Sequence, residues 1–347
     1  MSIYLLTVGV ALFLSWIIKS NKERKAHWLF NGILLIVLIF GLSFIIGFRY
    51  GVGTDWWEYK RMFEVYKDYS WGDILSLKEP GIRAIVKIVS YFTDEFSYYM
   101  FVCALICTTI PIMVMYRNSK NFLFSMTIYM LLNFLSQCNG MRQLLAMSMV
   151  FAGYTCIQRK QLIRFLICVL IGFQFHTSAL FCIPIYFIYT SKPSGVTTLI
   201  ILFGTLLMRF GYDTLGSALG FFQDDILTSS SYHTKSVNFL RIIAMVVPLI
   251  IVAPLKGKMV QEKALSVNML LANACVYLCM SGSAYFARLG LFTDMFLCMA
   301  IPSVFEKYGE RDKGLIVFIT IVCYAVFFYV STTTTSNLIP YKNVFWM

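Results

Sequence analysis

Long apolar runs recur from one end of the chain to the other and constrain its fold more than any other feature. Many of these runs are about 14 to 22 residues long. The hydrophobic fraction is 59% and the mean hydropathy is +0.73. A helix needs about 20 residues to cross the hydrocarbon core of a bilayer. The sequence therefore predicts an all-α polytopic membrane protein, in which residues 1–347 form a single integral membrane domain with about 10–12 transmembrane helices.

The apolar runs define twelve candidate spans, several of which are short for a bilayer core. The spans cover residues 3–19, 29–47, 96–116, 122–138, 140–157, 162–175, 178–190, 196–211, 239–254, 265–282, 284–305 and 314–331. The pieces 162–175 and 178–190 are short enough to be broken or tilted. The number of spans is therefore open by about two.

The loops between these spans divide the charges unequally. One set of loops holds 16 of the 29 basic residues but 5 of the 17 acidic residues. Its basic residues are Lys19, Lys22, Arg24, Lys25, Arg117, Lys120, Arg159, Lys160, Arg164, Lys192, Lys256, Lys258, Lys263, Lys307, Arg311 and Lys313. Cytoplasmic loops carry an excess of lysine and arginine, so we expect these loops to be cytoplasmic and both termini to lie outside. The net charge of +12 then follows from topology and does not indicate a nucleic-acid partner.

The ten cysteines do not form a pattern typical of a metal site or a disulfide framework. Cys103 and Cys107 are four residues apart within one span, as are Cys275 and Cys279, with no histidine nearby. Buried cysteine packs like a small hydrophobic residue, so we expect a packing role. The isolated GxG at 51–53 is weak support for a nucleotide site, because no strand accompanies it. The sequence thus predicts neither a metal nor a cofactor.

The outer segment 48–95 is predicted to contain two amphipathic helices at the membrane surface. The first is indicated by aromatic residues at helical spacing, namely Trp56, Tyr59, Phe63 and Tyr66. The second runs from Gly81 to about Phe92, with Pro80 at its start. Its apolar face consists of Ile82, Ile85, Val86 and Val89.

The charged residues of this outer segment fall into two groups. Lys60, Arg61, Arg83 and Lys87 are interpreted as solvated charges on the helix surfaces. Arg49, Asp55 and Glu79 lie near the mouths of spans, where a functional role and a capping role are both open. Asp55 and Glu58 have the spacing of a capping box.

Further polar residues stand at the outer ends of later spans. Asn139 is a good helix cap, so the free N–H groups after it and the guanidinium of Arg142 predict a phosphate or pyrophosphate cradle. Thr177 is expected to cap the next helix and to leave the His176 imidazole facing a cavity. A snorkelling Arg142 and a structural His176 are the alternatives.

A late span contains Arg288 and Asp294, with Tyr285 nearby. Ionisable residues cost about 2.5–3.5 kcal/mol each at the middle of a membrane helix on insertion scales. Six residues apart, Arg288 and Asp294 do not share a helix face, so each is expected to face a partner on another helix. The outer loop 209–241 is charged and rich in serine and threonine, which suits either sugar recognition or a plain connection.

Taken in order, these residues resemble the EpsG/Wzy-like family of polysaccharide repeat-unit polymerases. The resemblance rests on Arg49, Gly53-Thr54-Asp55, Tyr59, Glu79-Pro80-Gly81, Arg142-Gln143, a short basic loop, His176-x-Ser178-Ala179 and Arg288. It covers about residues 48–190 and, more loosely, the region of Arg288 and Pro340-Tyr341. It implies a fold similar to the GT-C-like membrane glycosyltransferases that use lipid-linked sugars. It also implies a place in the bacterial inner membrane, with the active face periplasmic or extracellular.

The activity that the resemblance implies is the joining of undecaprenyl-pyrophosphate-linked oligosaccharide repeat units into an O-antigen, capsule or exopolysaccharide. The arginines that would bind pyrophosphate are Arg49, Arg142 and Arg288. The candidate bases for the attacking hydroxyl are Asp55, Glu79 and His176. The supporting residues would be Gln143, Tyr59, Tyr285, Asp294 and Tyr341. The implied partners are the lipid-linked oligosaccharide and membrane lipids, with a chain-length regulator protein as a further candidate.

Two other classes of protein are alternatives. A transporter or flippase of lipid-linked oligosaccharides would also present arginines to a cavity, but it predicts polar residues through the full depth of the bilayer and related halves. The second alternative is another membrane transferase, such as an O-antigen ligase. The polar residues cluster at outer span ends and no internal repeat stands out, which favours the polymerase.

Overall fold

The computed structural model describes residues 1–22, 27–218, 239–252, 258–279, 288–334 and 338–346. Within these ranges the chain is helical, and strand-like pairing is confined to one bridge between Arg49 and Asn343. The prediction of an all-α fold is confirmed for this part of the chain. Tyr285 and residues 219–238 of the outer loop 209–241 lie outside the described residues.

The α-helices of the described ranges are α1 Ser2–Lys22, α2 Trp28–Gly47, α3 Trp56–Tyr66, α4 Trp71–Ser76, α5 Pro80–Ser90, α6 Phe96–Asn118, α7 Phe122–Leu132, α8 Met141–Ala152, α9 Tyr154–Gln158, α10 Leu162–Phe173, α11 Ile183–Thr190, α12 Gly195–Ala218, α13 Phe239–Val252, α14 Lys258–Glu262, α15 Ala264–Cys279, α16 Gly290–Phe305 and α17 Glu310–Thr334. Two 3-10 helices, Phe134–Cys138 and Thr177–Cys182, follow α7 and precede α11.

Three of the described helices are long and apolar enough to cross a membrane by length and composition. They are Trp28–Gly47, Phe96–Asn118 and the Lys313–Thr334 part of α17. Two other predicted spans are divided in the structure. The span 122–138 consists of α7 and a 3-10 helix, and the span 140–157 consists of α8 and α9 with a break at Gly153. The number of spans beyond these three stays a prediction.

Helix α8 is held from several sides and fixes the centre of the described bundle. It packs against α6, α10 and α16. Its residues Leu145, Ala146 and Val150 are fully buried. Because the helix is surrounded in this way, its first turn at Met141 is a rigid support for the side chains around it.

The two helices predicted in the outer segment are present as α3 and α5. The four apolar residues assigned to one face of α5 are all buried, and α5 packs against α3 and α6. The short helix α4 between them was not predicted, although Ser70 and Asp73 form a complete capping box at its start. The position of α3 and α5 at a membrane surface stays a prediction.

Charged residues from several of the predicted cytoplasmic loops meet in space. Glu306 accepts from Lys120 at 3.2 Å and from Lys263 at 3.0 Å, and Lys307 pairs with Glu262. These loops therefore lie at one end of the bundle, as the charge pattern predicts. Which side of a membrane this end faces is a prediction from the charge bias.

Candidate functional site

Glu79 stands in a strained turn immediately before α5. Its backbone is left-handed, with φ 54° and ψ 57°, a conformation that costs about 1–2 kcal/mol for a residue with a Cβ. Arg83 supports the turn by donating from Nη1 to the carbonyls of Lys78 and Glu79. The N–H of Gly81 donates to the Gln174 carbonyl over 2.8 Å, and a Cβ on Gly81 would lie 2.9 Å from that oxygen. These contacts fix Glu79 against the turn that follows α10.

The carboxylate of Glu79 contacts two other segments that carry predicted site residues. Its Oε2 accepts from Arg142 Nη1 at 3.1 Å, and its Oε1 accepts from the backbone N–H of Thr177 at 3.0 Å. His176 Nδ1 lies 3.9 Å from Oε1. The Glu79 side chain is 11% exposed and that of Arg142 is 32% exposed, so the pair is shielded but accessible. We call Glu79, Arg142 and His176 the Glu79 cluster.

The His176 ring is held by its own hydrogen bonds. Its Nδ1 accepts from the backbone N–H of Ser178 at 3.1 Å and lies 2.7 Å from Ser178 Oγ. A backbone N–H can only donate, so Nδ1 keeps its lone pair and the neutral ring carries its proton on Nε2. The ring therefore presents an N–H donor on its other side. The prediction that Thr177 caps this helix is wrong, because the imidazole itself is the cap.

Burial also favours the neutral ring. It lowers the pKa of His176 to about 4, the charges of Arg142 and Arg288 act in the same direction, and Glu79 opposes them. The ordinary pKa of a histidine is about 6.5. His176 is therefore uncharged at neutral pH.

A cavity of about 340 Å³, which we call the Arg142 cavity, opens beside this cluster. It is lined by Glu58, Tyr59, Arg61, Met62, Val65, Tyr66, Arg83 and Arg142, which come from α3, α5 and α8. Tyr59 is buried, and its hydroxyl oxygen accepts from the backbone N–H of Arg142 at 3.3 Å. Burial raises the pKa of Tyr59 to about 12, so the hydroxyl keeps its proton. The cavity thus combines phenol rings, a carboxylate and guanidinium groups.

Asp55 lies beside the same helix start, in a loop tied to residues 138–139. Gly53 has φ +94°, and a Cβ there would lie 2.1 Å from the carbonyl oxygen of residue 138, so glycine is required. The Thr54 N–H donates to Asn139 Oδ1 at 2.7 Å, and the Thr54 hydroxyl lies 2.9 Å from Asp55 Oδ1. Asp55 occupies the N-cap position of α3 but makes no side-chain cap bond. The prediction that Asn139 caps α8 is wrong, because the next residue, Gly140, is the N-cap.

Asp294 is fully buried in α16 and has the partner on another helix that the sequence predicts. Arg241 of α13 donates from Nη2 to Asp294 Oδ2 at 3.1 Å. The Tyr277 hydroxyl donates to the same oxygen at 2.7 Å, and Asn273 Nδ2 donates to Oδ1 at 2.8 Å. Both carboxylate oxygens are therefore satisfied inside the protein.

Arg288 lies between the two groups of residues. The Gln143 side chain donates to the Arg288 carbonyl at 2.7 Å, so the residue after Arg142 supports the backbone of Arg288. Arg288 is exposed and lines a second cavity of about 240 Å³, which we call the Arg288 cavity. Among the described residues, no carboxylate accepts a hydrogen bond from the Arg288 guanidinium.

Arg49 and Tyr341 lie apart from the Glu79 cluster and line neither cavity. Arg49 is 1% exposed, and its guanidinium donates to the carbonyls of Ile46, Val52, Gln137 and Cys138. Tyr341 donates from its hydroxyl to the Ile45 carbonyl at 2.9 Å. Both residues join segments of the chain, and the position of Arg49 does not fit the predicted contact with pyrophosphate.

The sequence missed two arginines that shape the site. Arg83 was interpreted as solvated, but it is 6% exposed and supports the Glu79 turn. Arg241 was placed in an outer loop, but it lies in the first turn of α13 and holds Asp294. The signal for Arg241 was Asp294, because a carboxylate in an apolar span needs a partner from another part of the chain. Within the described ranges, no group of three or more His, Cys, Asp and Glu side chains is placed to hold a metal ion.

Comparison with known protein families identifies a match over most of the chain. The model of a family described as the EpsG family matches residues 32–343 of this chain. No curated protein and no solved structure gives a significant match. The matched range includes the Glu79 cluster and both cavities.

Proposed function

Because the chain belongs to the EpsG family, which is linked to polysaccharide biosynthesis in membranes, we propose that it is a membrane glycosyltransferase. It joins undecaprenyl-pyrophosphate-linked oligosaccharide repeat units into a surface polysaccharide. The reaction takes place at the outer face of the bacterial inner membrane. The charge bias supports this orientation, because the Glu79 cluster is at the end with fewer basic loop residues.

The observation that carries this proposal is the Glu79 cluster itself. A carboxylate, a guanidinium and an imidazole from three separate segments meet beside a polar cavity. The carboxylate is held in a strained left-handed turn, and strain of this kind tends to concentrate at functional sites.

The proposed step is a substitution at an anomeric carbon. A hydroxyl of the incoming repeat unit attacks the reducing-end anomeric carbon of the growing chain. A new glycosidic C–O bond forms, the C–O bond to pyrophosphate breaks, and undecaprenyl pyrophosphate leaves with the bonding electron pair. Glu79 takes the hydroxyl proton as general base, and the nearby arginines stabilise the charge that develops on the pyrophosphate.

Each remaining residue has a role that its contacts support. Arg142 orients the Glu79 carboxylate, and its other guanidinium nitrogen atoms stay available to substrate. His176 donates a hydrogen bond from Nε2 rather than accepting a proton, because Ser178 occupies its Nδ1. Asp55 is the second candidate base, because the Thr54–Asn139 hydrogen bond holds its loop beside the start of α8. Tyr59 and Gln143 position Arg142 and Arg288.

Arg142→Lys tests the proposal in cells. Lysine keeps the charge but has one nitrogen atom, so it cannot hold Glu79 and a substrate oxygen together in a plane. We expect the yield of long polymer to fall about tenfold or more at normal protein level, with short chains in its place. Arg164→Lys is the matched control, because Arg164 is exposed and bonds Gln161 in the first turn of α10. Normal polymer from Arg142→Ala at equal expression would contradict the proposed role.

The pH dependence of polymerisation tests the assignment of His176. The neutral ring does not change charge near pH 6.5, so wild-type protein and His176→Asn should show pH profiles of the same shape between about pH 5.5 and 8. The pKa of His176 is lower in the folded chain than in the unfolded chain. As the pH falls, the unfolded chain therefore binds the proton first. Folding stability therefore falls as the pH drops from about 6.5 towards 4. An activity inflection near pH 6.5 that His176→Asn removes would show that the ring titrates in the reaction.

A further inference from the structure

The Arg288 cavity has the chemistry of a site for an amphiphile with an anionic head. Its polar lining consists of Ser136, Asn139, Arg241, Arg288, Ser331 and Thr332. Its apolar lining consists of Leu131, Leu132, Leu135, Leu291, Phe327, Phe328 and Leu338. The cavity thus has hydrogen-bond donors and an apolar wall in the same space, formed by α7, α13, α16 and α17.

The charge of this cavity is positive. Arg241 and Asp294 neutralise each other at 3.1 Å, and Asp294 is fully buried behind the arginine. Arg288 adds a further positive charge. No aspartate or glutamate is among the described residues that line the cavity. A single anionic group placed here would therefore meet an uncompensated guanidinium.

Arg241 is also held in a fixed orientation. Its Nε donates to the Tyr277 hydroxyl at 3.2 Å and its Nη2 donates to Asp294. The side chain is still 28% exposed and lines the cavity. A guanidinium that is fixed on one edge and open on the other loses little rotamer entropy when it binds a phosphate.

The two cavities differ in what they can bind. In the Arg142 cavity each guanidinium already has a partner, namely Glu58 for Arg61, backbone carbonyls for Arg83 and Glu79 for one nitrogen of Arg142. The Glu58 carboxylate also lines this cavity, whereas the Arg288 cavity has no described carboxylate in its lining. Asn139 lines the Arg288 cavity and Arg142 lines the other, so both cavities adjoin the start of α8. A polymerase must hold two lipid-linked molecules at once, with the base beside one and positive charge beside the leaving group of the other.

We propose that the Arg288 cavity is the donor site, in which Arg288 and Arg241 bind the pyrophosphate and the apolar wall contacts the first isoprene units. The Arg142 cavity then takes the sugar whose hydroxyl Glu79 deprotonates. This inference rests on the proposed function for the identity of the two substrates. It adds Arg241 and the apolar wall of the Arg288 cavity to the site. It also assigns the donor and the acceptor to different cavities.

The test is equilibrium binding of undecaprenyl pyrophosphate, without any sugar, to the purified full-length protein in detergent. We expect Arg288→Ala to weaken this binding about tenfold or more, as the loss of a charge-assisted phosphate contact does. Ser331→Phe, which fills the cavity without changing its charge, should weaken it similarly. Arg142→Ala should change the affinity less than about threefold, and Arg164→Ala should not change it.

Further ligands identify what is recognised. Undecaprenyl phosphate and inorganic pyrophosphate should each bind more weakly, because the first has less charge and the second has no chain. Phosphatidylglycerol that competes as well as undecaprenyl pyrophosphate would overturn the proposal and indicate a general anionic-lipid groove. Unchanged binding in both Arg288→Ala and Ser331→Phe would also overturn it, as would a loss confined to Arg142→Ala. Polymerisation is not needed for this assay, so a protein that binds through Arg288 but makes no polymer would refute the proposed function and not the site.

Discussion

Glu79→Gln is expected to slow polymerisation by about 10²- to 10⁴-fold, the usual cost of removing a general base. Glutamine has the same shape, and its amide oxygen can still accept from the Thr177 N–H. It cannot take up a proton, and its NH₂ group would face the Arg142 guanidinium, which also only donates. The measurement is the rate of repeat addition by purified protein at saturating lipid-linked repeat unit.

The matched control for this substitution is Glu64→Gln. Glu64 is exposed in α3 and pairs with Lys60 at 3.8 Å, so its loss should leave the rate unchanged. If Glu79→Gln kept more than about a tenth of the wild-type rate, Glu79 would not be the base. Asp55→Asn would then be the variant to examine for the missing proton acceptor.

Arg241→Ala is expected to cause the largest loss of stability, about 3–5 kcal/mol, because it leaves a buried carboxylate without its charge partner. Asp294 is 0% exposed, so its carboxylate depends on partners inside the protein. Adding Asp294→Asn removes the unpaired charge and should restore more than half of the loss. Denaturation of the four proteins in detergent micelles measures this double-mutant cycle.

Arg61→Ala is the comparison for that cycle. Arg61 donates to Glu58 at 2.8 Å, which is shorter than the 3.1 Å of the buried pair, but both side chains are mostly exposed. Its loss should change stability little, because solvent screens an exposed pair. If Arg61→Ala and Arg241→Ala lost similar amounts of stability, burial would not be the reason for the effect. A double variant Arg241→Ala/Asp294→Asn that is no more stable than Arg241→Ala would also contradict this explanation.

The helices were largely predictable, because apolar periodicity and Gly and Pro positions are local signals. The buried face of α5 and its start at Pro80 follow directly from the sequence. The sequence also indicated that Asp294 needed a partner, because an unpaired carboxylate in an apolar span is costly. It did not identify Arg241, since the pairing depends on how α13 and α16 pack and not on spacing along the chain.

The side-chain roles at helix starts were less predictable. Asn139, Asp55 and Thr177 all have good capping chemistry, but each makes a different bond. The Asn139 side chain accepts from Thr54 and the Thr177 backbone N–H donates to Glu79, which are both long-range contacts, whereas Asp55 accepts from its neighbour Thr54. Arg83 was misinterpreted because a charged residue opposite an apolar face usually meets water, whereas here the Glu79 turn covers it. Such competition between local and long-range hydrogen bonds cannot be resolved from one segment at a time.

The most direct test of the proposed polymerase activity uses purified protein in liposomes, supplied with undecaprenyl-pyrophosphate-linked repeat units and no nucleotide sugar. We expect a ladder of products with multiple repeats and the release of undecaprenyl pyrophosphate. Glu79→Gln and Arg142→Lys should shorten the ladder, whereas Glu64→Gln and Arg164→Lys should not. Lipid-linked units that cross the membrane without lengthening would contradict the polymerase and indicate a flippase.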